Sequence, residues 1–230
     1  MLLVRSTVYI LLLLSTAALA RVEPLTFSPS QVQTTLEMLE KLGTKHYASI
    51  PIDDELSQAF LKNYLYSLDP SHVYFLASDV QRFQKWKLTL DDSLRQGDLS
   101  PGFLIYNVYV KRITDRLNNS IAMLEDGVTF DFSVDEKIVY NDDEDSPWLE
   151  TEAELDELWR KRIKDSYLRL MLAEKVEDEI PGLLIKRFKN TLKRVEQSDA
   201  EDVHQLYMNA FTALYDPHTT YYSPRQWENF

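Results

Sequence analysis

The sequence predicts an all-α protein: a bundle of about seven helices with one irregular or small β-hairpin insert near residues 128–149. Three observations predict it. Apolar residues recur at three- and four-residue spacing over most of the chain, the pattern that gives a helix one buried face. Gly is rare, with five in 230 residues, and Pro stands at the edges of the periodic segments, where neither residue breaks a helix interior. Ser or Thr followed three residues later by Glu or Gln opens three of the segments, a pairing that satisfies free N–H groups of a first helical turn.

Residues 1–20 stand apart. Arg5, the apolar run from Val8 to Leu14 and Ala18-Leu19-Ala20 have the layout of a secretory signal peptide; the run is too short to favour a membrane span. The expected mature chain is 21–230. Its first helix has Ser30 as N-cap candidate and Val32, Leu36, Leu39 and Leu42 as stripe. The second starts at Asp53-Asp54-Glu55, acids suited to a helix N-terminus, and buries Leu56, Phe60, Leu61, Tyr64, Leu65 and Leu68. Asp69-Pro70 stops it, because Pro disfavours helical backbone in the residue before it.

Ser78 and Gln81 form the capping box of a third helix with stripe Val80, Phe83, Lys87, Leu90 and Leu94, closed by Gly97. Ser100-Pro101 opens the fourth, with an N-cap followed by Pro at the first position. Phe103, Tyr106, Val110, Ile113, Leu117, Ile121 and Leu124 then keep register up to Gly127. Val128 to Phe132 alternates like a strand, and Lys137 to Tyr140 is a candidate second one. An acidic loop with one Pro follows. Thr151 and Glu154 cap the fifth helix, with stripe Leu155, Leu158, Trp159, Ile163, Tyr167, Leu170 and Met171. Ile180-Pro181-Gly182 interrupts the pattern, and Leu184, Phe188, Thr191, Leu192 and Val195 carry the sixth. Ser198 and Glu201 cap the seventh, which buries Val203, Leu206, Tyr207, Ala210, Phe211 and Leu214 before Asp216-Pro217. No Gly/Ser linker divides these segments, so one helical unit is expected, with antiparallel neighbours across the short connections.

The formal net charge is −12, and loss of Arg5 with the leader makes the remainder more acidic still. Nucleic-acid binding and attachment to an anionic membrane are therefore disfavoured, since both rest on an excess of Lys and Arg. There is no Cys, which excludes disulfides, a lipid-modified N-terminal Cys and thiolate metal sites. An apolar content of 44% argues for a packed core rather than disorder.

Catalytic motifs are missing. The chain has no Gly-x-Ser-x-Gly, no His-Glu-x-x-His and no Gly-rich phosphate loop. His46, His72, His204 and His218 are scattered. His72 and His218 each follow an Asp-Pro helix stop; a turn histidine bonding exposed helix carbonyls is preferred over a metal or catalytic pair, because a metal site needs three or four convergent ligands. Residues 141–152 approach a calcium loop through Asn141, Asp143, Asp145 and Glu152. Ser146 and Pro147 stand where that loop needs Gly and a carbonyl-presenting residue, so a solvated acidic loop is the reading. Asn118-Asn119-Ser120 is a formal glycosylation sequon but falls inside the fourth helix. The aromatics Tyr64, Tyr66, Tyr74 and Phe75 read as core. Tyr221, Tyr222 and Trp227 are open between core and a recognition surface.

The segment from Asp69 to Phe83 aligns without gaps on that from Asp216 to Phe230, with Asp, Pro, one Tyr and the last Phe in common, a weak internal repeat. The second copy, Asp216-Pro217-His218-Thr219-Thr220-Tyr221-Tyr222-Ser223-Pro224, resembles the Leu-Asp-Pro-His-x-x-Tyr-Leu-x-Pro segment just ahead of the PDZ domain in carboxy-terminal processing peptidases. Residues 75–83, 153–159 and 198–203 are similar to one branch of that family, the periplasmic tail-specific proteases of Gram-negative bacteria. Tyr215 and Tyr222 depart from the aliphatic residues usual there.

The resemblance covers the mature chain and implies an N-terminal helical domain over 21–230 without the PDZ and Ser-Lys catalytic domains. It carries no catalytic, cofactor-binding or metal-binding residue onto this sequence. The implied role is scaffold and recognition in a periplasmic serine-type protease rather than catalysis. Implied partners are proteins: the peptidase and PDZ portions, adaptors and protein substrates. The abrupt end after an aromatic connector leads us to expect a fragment of a longer enzyme; the alternative is a free-standing periplasmic helical protein-binding module.

Overall fold

The computed structural model describes residues 23–139, 143 and 145–227. The expected signal peptide and Tyr140 lie outside them. The described residues form nine α-helices and no strand. The all-α expectation holds, and the larger number has two sources. The third expected helix is broken, and a short helix forms near the C-terminal end.

α1 (Pro29–Lys45) opens on Ser28, two residues before the expected Ser30. The Ser28 hydroxyl accepts the Gln31 N–H at 3.4 Å, and the Gln31 side chain accepts the Ser28 N–H at 2.8 Å. Pro29 then takes the first helical position, where its missing N–H costs nothing. α2 (Asp54–Leu68) starts as expected, with Asp53 accepting the N–H groups of Glu55 and Leu56 at 3.1 Å each.

The third segment becomes α3 (Ala77–Phe83), a 3₁₀ turn over Gln84–Trp86 and α4 (Leu90–Arg95). Ser78 is inside α3 and not its cap; Asp79 supplies the capping oxygen, accepting the Leu76 N–H at 3.2 Å. Lys87, placed in the stripe by its spacing, is exposed. Ser57 on α2 explains the new start at α4. Its hydroxyl accepts the Asp91 N–H at 2.8 Å and donates to the Asp91 carboxylate at 2.6 Å. A continuous helix would have given that N–H to the carbonyl of Lys87.

α5 (Ser100–Glu125) is 26 residues long, roughly 39 Å at 1.5 Å per residue. Asp98 accepts the Ser100 N–H at 2.9 Å, so the cap oxygen comes from Asp98 and Ser100 is already helical. Gly127, at φ +76°, ends the run, a left-handed position that suits Gly. The insert that follows is irregular. Val128 and Phe130 pack into the core, and Phe130 and Phe132 lie 5.7 and 6.0 Å from the Tyr167 ring. The alternating pattern is thus used against a helix instead of a second strand.

α6 (Glu152–Leu172) has the expected capping box: Thr151 accepts the Glu154 N–H at 3.2 Å and Glu154 returns the contact at 3.0 Å. α7 (Ile180–Glu196) follows a 3₁₀ turn, with Pro181 in its first turn. α8 (Ala200–Thr212) is capped by Asp199 and Asp202, one residue after the expected Ser198 and Glu201. Asp199 accepts the N–H groups of Glu201 and Asp202 at 3.0 Å. Ser198 donates instead to the carbonyl of Arg194 at 3.3 Å and so finishes α7. α9 is Pro224–Trp227. In the gapless repeat alignment Ala77 lies on Pro224, so α3 and α9 begin in the same register.

Three apolar clusters share α5. The largest joins α1, α2, α4, α8 and the first half of α5 around Phe60, Tyr64, Tyr207 and Phe211. The second sets Ile113 and Leu117 against Leu155 and Trp159 of α6. The third sets Leu124 against Ile163, Leu170, Ile180 and Leu184. Among the described residues no helix is long and apolar enough to cross a membrane.

Candidate functional site

The two Asp-Pro turns are built differently. In the first, the buried Asp69 carboxylate accepts three backbone N–H groups: Val73 at 2.9 Å, Tyr74 at 2.8 Å and Phe75 at 3.0 Å. A carboxylate with several N–H donors is well solvated inside a protein. His72 adopts φ +52°, and its buried ring stacks on Trp148 at 3.7 Å. Burial pushes its pKa down, with Asp69 partly opposing. The turn is anchored to α6 through the Trp159 indole N–H, which donates to the Val73 carbonyl at 2.8 Å.

In the second turn Asp216 accepts the His218 N–H at 2.6 Å and the hydroxyl of Tyr47. His46 meets Thr219 at 3.0 Å. The chain then runs antiparallel along α8, held by side chains of that helix. Asn209 accepts the Tyr221 N–H at 2.7 Å, and Gln205 accepts the Ser223 N–H at 2.9 Å. Gln205 also bonds Gln226 at 2.9 Å, and Arg225 reaches Asp199 at 2.8 Å and Asp202 at 2.5 Å. The Tyr221 hydroxyl donates to Glu201 at 3.0 Å. Beneath it His204 is fully buried, 2.9 Å from the Thr35 hydroxyl of α1. Burial lowers its pKa, and Glu201 works against that shift.

This segment leaves an aromatic face. Tyr47 is 80%, Trp227 71% and Tyr222 43% exposed. Beside it lies a groove of about 380 Å³ whose walls include Met38, Leu42, Tyr221, Tyr222 and Trp227. The open question over the three terminal aromatics resolves by residue: Tyr221 is tied down and partly buried, while Tyr222 and Trp227 face solvent.

The histidine readings need correcting in one respect. Neither His72 nor His218 serves as a turn histidine bonding helix carbonyls: His72 stacks on Trp148, and the His218 contact to Asp216 comes from the main chain. Among the described residues no three His, Asp or Glu side chains gather in a way that could hold a metal ion. Of the calcium-like positions, Asn141 lies outside the described residues. Asp145 pairs with Lys62 at 2.7 Å, and Glu152 is turned to Arg112 and Arg116. Asn118 lies within α5.

Sequence reasoning missed Tyr47, Gln205 and Asn209. The last two are polar residues four apart on one helix, a spacing that places them on one face. Nothing in the sequence around Tyr47 points to Asp216.

A second polar cluster braces α3, α5 and α6. Arg112 donates to the buried Asp79 at 2.7 Å and also to Glu152. Arg116 joins Glu152 at 3.2 Å and Asp156. Burial raises the Asp79 pKa, but the Arg112 guanidinium and the Leu76 N–H outweigh it, and the net shift is down. All of these side chains are satisfied by one another, which is the pattern of a structural network.

Known proteins supply the context. Residues 38–225 match the family described as the tail specific protease N-terminal domain. The tail-specific protease of Haemophilus influenzae (strain ATCC 51907 / DSM 11121 / KW20 / Rd) is 37% identical over 191 residues, which is 83% of this chain and 27% of that protein. The matched residues take in both Asp-Pro turns, the Arg112 network and the segment tied down along α8, and the chain accordingly belongs to the family of tail-specific protease N-terminal domains.

Proposed function

We propose that this chain is a non-catalytic scaffold and recognition domain of a periplasmic, serine-type, carboxy-terminal processing protease. Peptide-bond cleavage is then the work of parts of such an enzyme outside residues 38–225. The observation that carries the reading is the family match together with the share of the relative covered: the chain spans 27% of the Haemophilus influenzae protease. Its buried polar groups support the same view. Asp69, Asp79, Asp91 and Arg116 are all engaged in capping or bracing, and the buried Thr35 hydroxyl, which meets His204 at 2.9 Å, gives its own proton to the Gln31 carbonyl of α1 at 2.9 Å, a packing role rather than that of an activated nucleophile.

Partners on this reading are proteins, both the rest of the protease and its substrates. The exposed aromatics Tyr47, Tyr222 and Trp227 suit such contacts, since aromatic side chains dominate interface energetics. The leader-like residues 1–20 support a periplasmic location.

The test is turnover. The purified protein, incubated with an unfolded protein substrate, is expected to leave it intact. Cleavage that disappears on changing one side chain of this chain would overturn the reading. A second reading, a free-standing periplasmic binding module, is favoured by one observation: the terminal segment is closed down on α8 by its own hydrogen bonds. It predicts a monodisperse protein that unfolds in one transition, whereas association through Tyr222 and Trp227 favours a domain that belongs against a neighbour.

A further inference from the structure

α7 carries five cations and one acid: Lys186, Arg187, Lys189, Lys193 and Arg194 against Glu196. In a chain with 37 acidic and 25 basic residues, such a helix has carboxylates in ample supply elsewhere on the surface. Among the described residues it uses one of them. Lys189 pairs with Glu125 at 3.3 Å. Lys186, Arg187, Lys193 and Arg194 are exposed and make no ion pair among the described residues. On α5 and α6 the opposite holds: Arg112, Arg116, Arg160 and Lys164 are each held by carboxylates.

The helix macrodipole accounts for part of this. Lys193 and Arg194 lie in the last turn, where cations are favoured. Lys186 and Arg187 lie mid-helix, beyond the reach of that effect. Arg187, Asn190, Thr191, Lys193, Arg194 and Gln197 also frame a shallow depression of about 630 Å³ with no apolar side chain in it. The face is therefore shallow, cationic and lined by polar side chains.

We propose that the outer face of α7 docks an acidic protein segment, whose Asp and Glu carboxylates take the places that no carboxylate among the described residues fills. The two arginines can grip carboxylates in bidentate fashion, and the lysines act as point charges. A protein segment is favoured over an anionic membrane because the face offers no apolar side chain to enter lipid, and a molecule of net charge −12 is repelled by a uniformly negative plane. An interaction of this kind associates quickly and weakens with salt, as exposed charges are screened beyond about 8 Å at physiological ionic strength. The inference rests on the recognition role proposed above and names the face and the chemistry of one partner.

Fluorescence anisotropy of a labelled oligoglutamate peptide, titrated with the purified protein at low and at raised salt, tests it. Binding at low salt is expected, lost at raised salt, and weakened by about 10-fold or more in K186E/R187E/K193E/R194E, in line with the loss of four ionic contacts. A variant with the same change in net charge elsewhere, K41E/K45E/K137E/K175E, is expected to bind nearly as the parent does. Circular dichroism establishes that both variants fold. Equal losses in the two variants, no binding at any salt, or α7-dependent binding to phosphatidylglycerol vesicles with none to the peptide would each overturn the proposal. The outcome is separable from the scaffold reading: proteolytic turnover sinks that reading whatever the peptide does, and failure of the peptide leaves the turnover result standing.

Discussion

The indole N–H of Trp159 on α6 donates to the carbonyl of Val73 at 2.8 Å, joining residues 86 apart in sequence. Its ring also packs against Tyr74 and Phe188. One side chain therefore links the first Asp-Pro turn, α6 and α7. Trp159→Phe keeps most of the packing and leaves a buried carbonyl unpaired. A loss of about 1–3 kcal/mol is expected, and Trp159→Ala should cost about 3–5 kcal/mol. Urea unfolding followed by far-UV circular dichroism measures both, and a Phe variant as stable as the parent would show that the bond contributes nothing.

The Asp69 carboxylate accepts three successive N–H groups, those of Val73, Tyr74 and Phe75, and among the described residues it is their one acceptor. Asp69→Ala strands all three in a buried turn, and each stranded donor costs about 1–3 kcal/mol. A destabilisation above about 2 kcal/mol is expected, with Asp69→Asn intermediate because its NH₂ would face a donor. The same unfolding experiment decides it.

Gly102 lies in α5 where a Cβ would sit 2.7 Å from the Tyr207 ring. Tyr207 is completely buried and packs on Phe60 and Tyr64, so it has no room to withdraw. Gly102→Ala should destabilise by about 1–3 kcal/mol, although in an open helix the same change stabilises by about 1 kcal/mol. A gain in melting temperature would refute the close approach.

Acid sensitivity should come in two stages. His72 and His204 are both held below the ordinary imidazole value, in each case first by burial. A group whose folded pKa is depressed gives stability that is complete above its unfolded pKa and lost as pH falls. The first decline is therefore expected below about pH 6.5. The second begins near pH 4.5, as Glu136, whose pKa is brought down to about 2 by Arg160 and Lys164, starts to bind protons in the unfolded chain. Melting temperatures recorded across this range should show both steps, and His204→Gln should flatten the first. A melting temperature constant from neutral pH to about pH 5 would contradict the neutral buried imidazoles.

The terminal segment should be rigid because of Asn209 and Gln205. Replacing both by Ala removes the acceptors of the Tyr221 and Ser223 N–H groups and leaves the core untouched. Hydrogen exchange at those two amides should speed up about 10-fold or more, with global stability changed by less than about 1 kcal/mol. Unchanged exchange would mean that packing, not hydrogen bonding, holds the segment.

The helices were legible because burial and capping follow local rules. The stripe of α2, from Leu56 to Leu68, is buried at every position named from its spacing. The errors fell where two local solutions competed. Ser198 and Asp199 can each cap α8, and only the end of α7, which takes the Ser198 hydroxyl, decides between them. The break before α4 depends on Ser57, 34 residues away from Asp91, and no local pattern encodes that contact. The surface was less legible than the core. Tyr222 and Trp227 are apolar enough to be buried, and their exposure follows from which face of the terminal segment meets α8.

α5 passes through every apolar cluster, so neither the α1–α2–α8 end nor the α6–α7 end owns a complete interior. Whatever engages one end and favours its folded form also tightens the spine that the other end needs, by simple mass action. Communication across roughly 39 Å of helix thus requires no moving part, only a common member whose melting both ends must share.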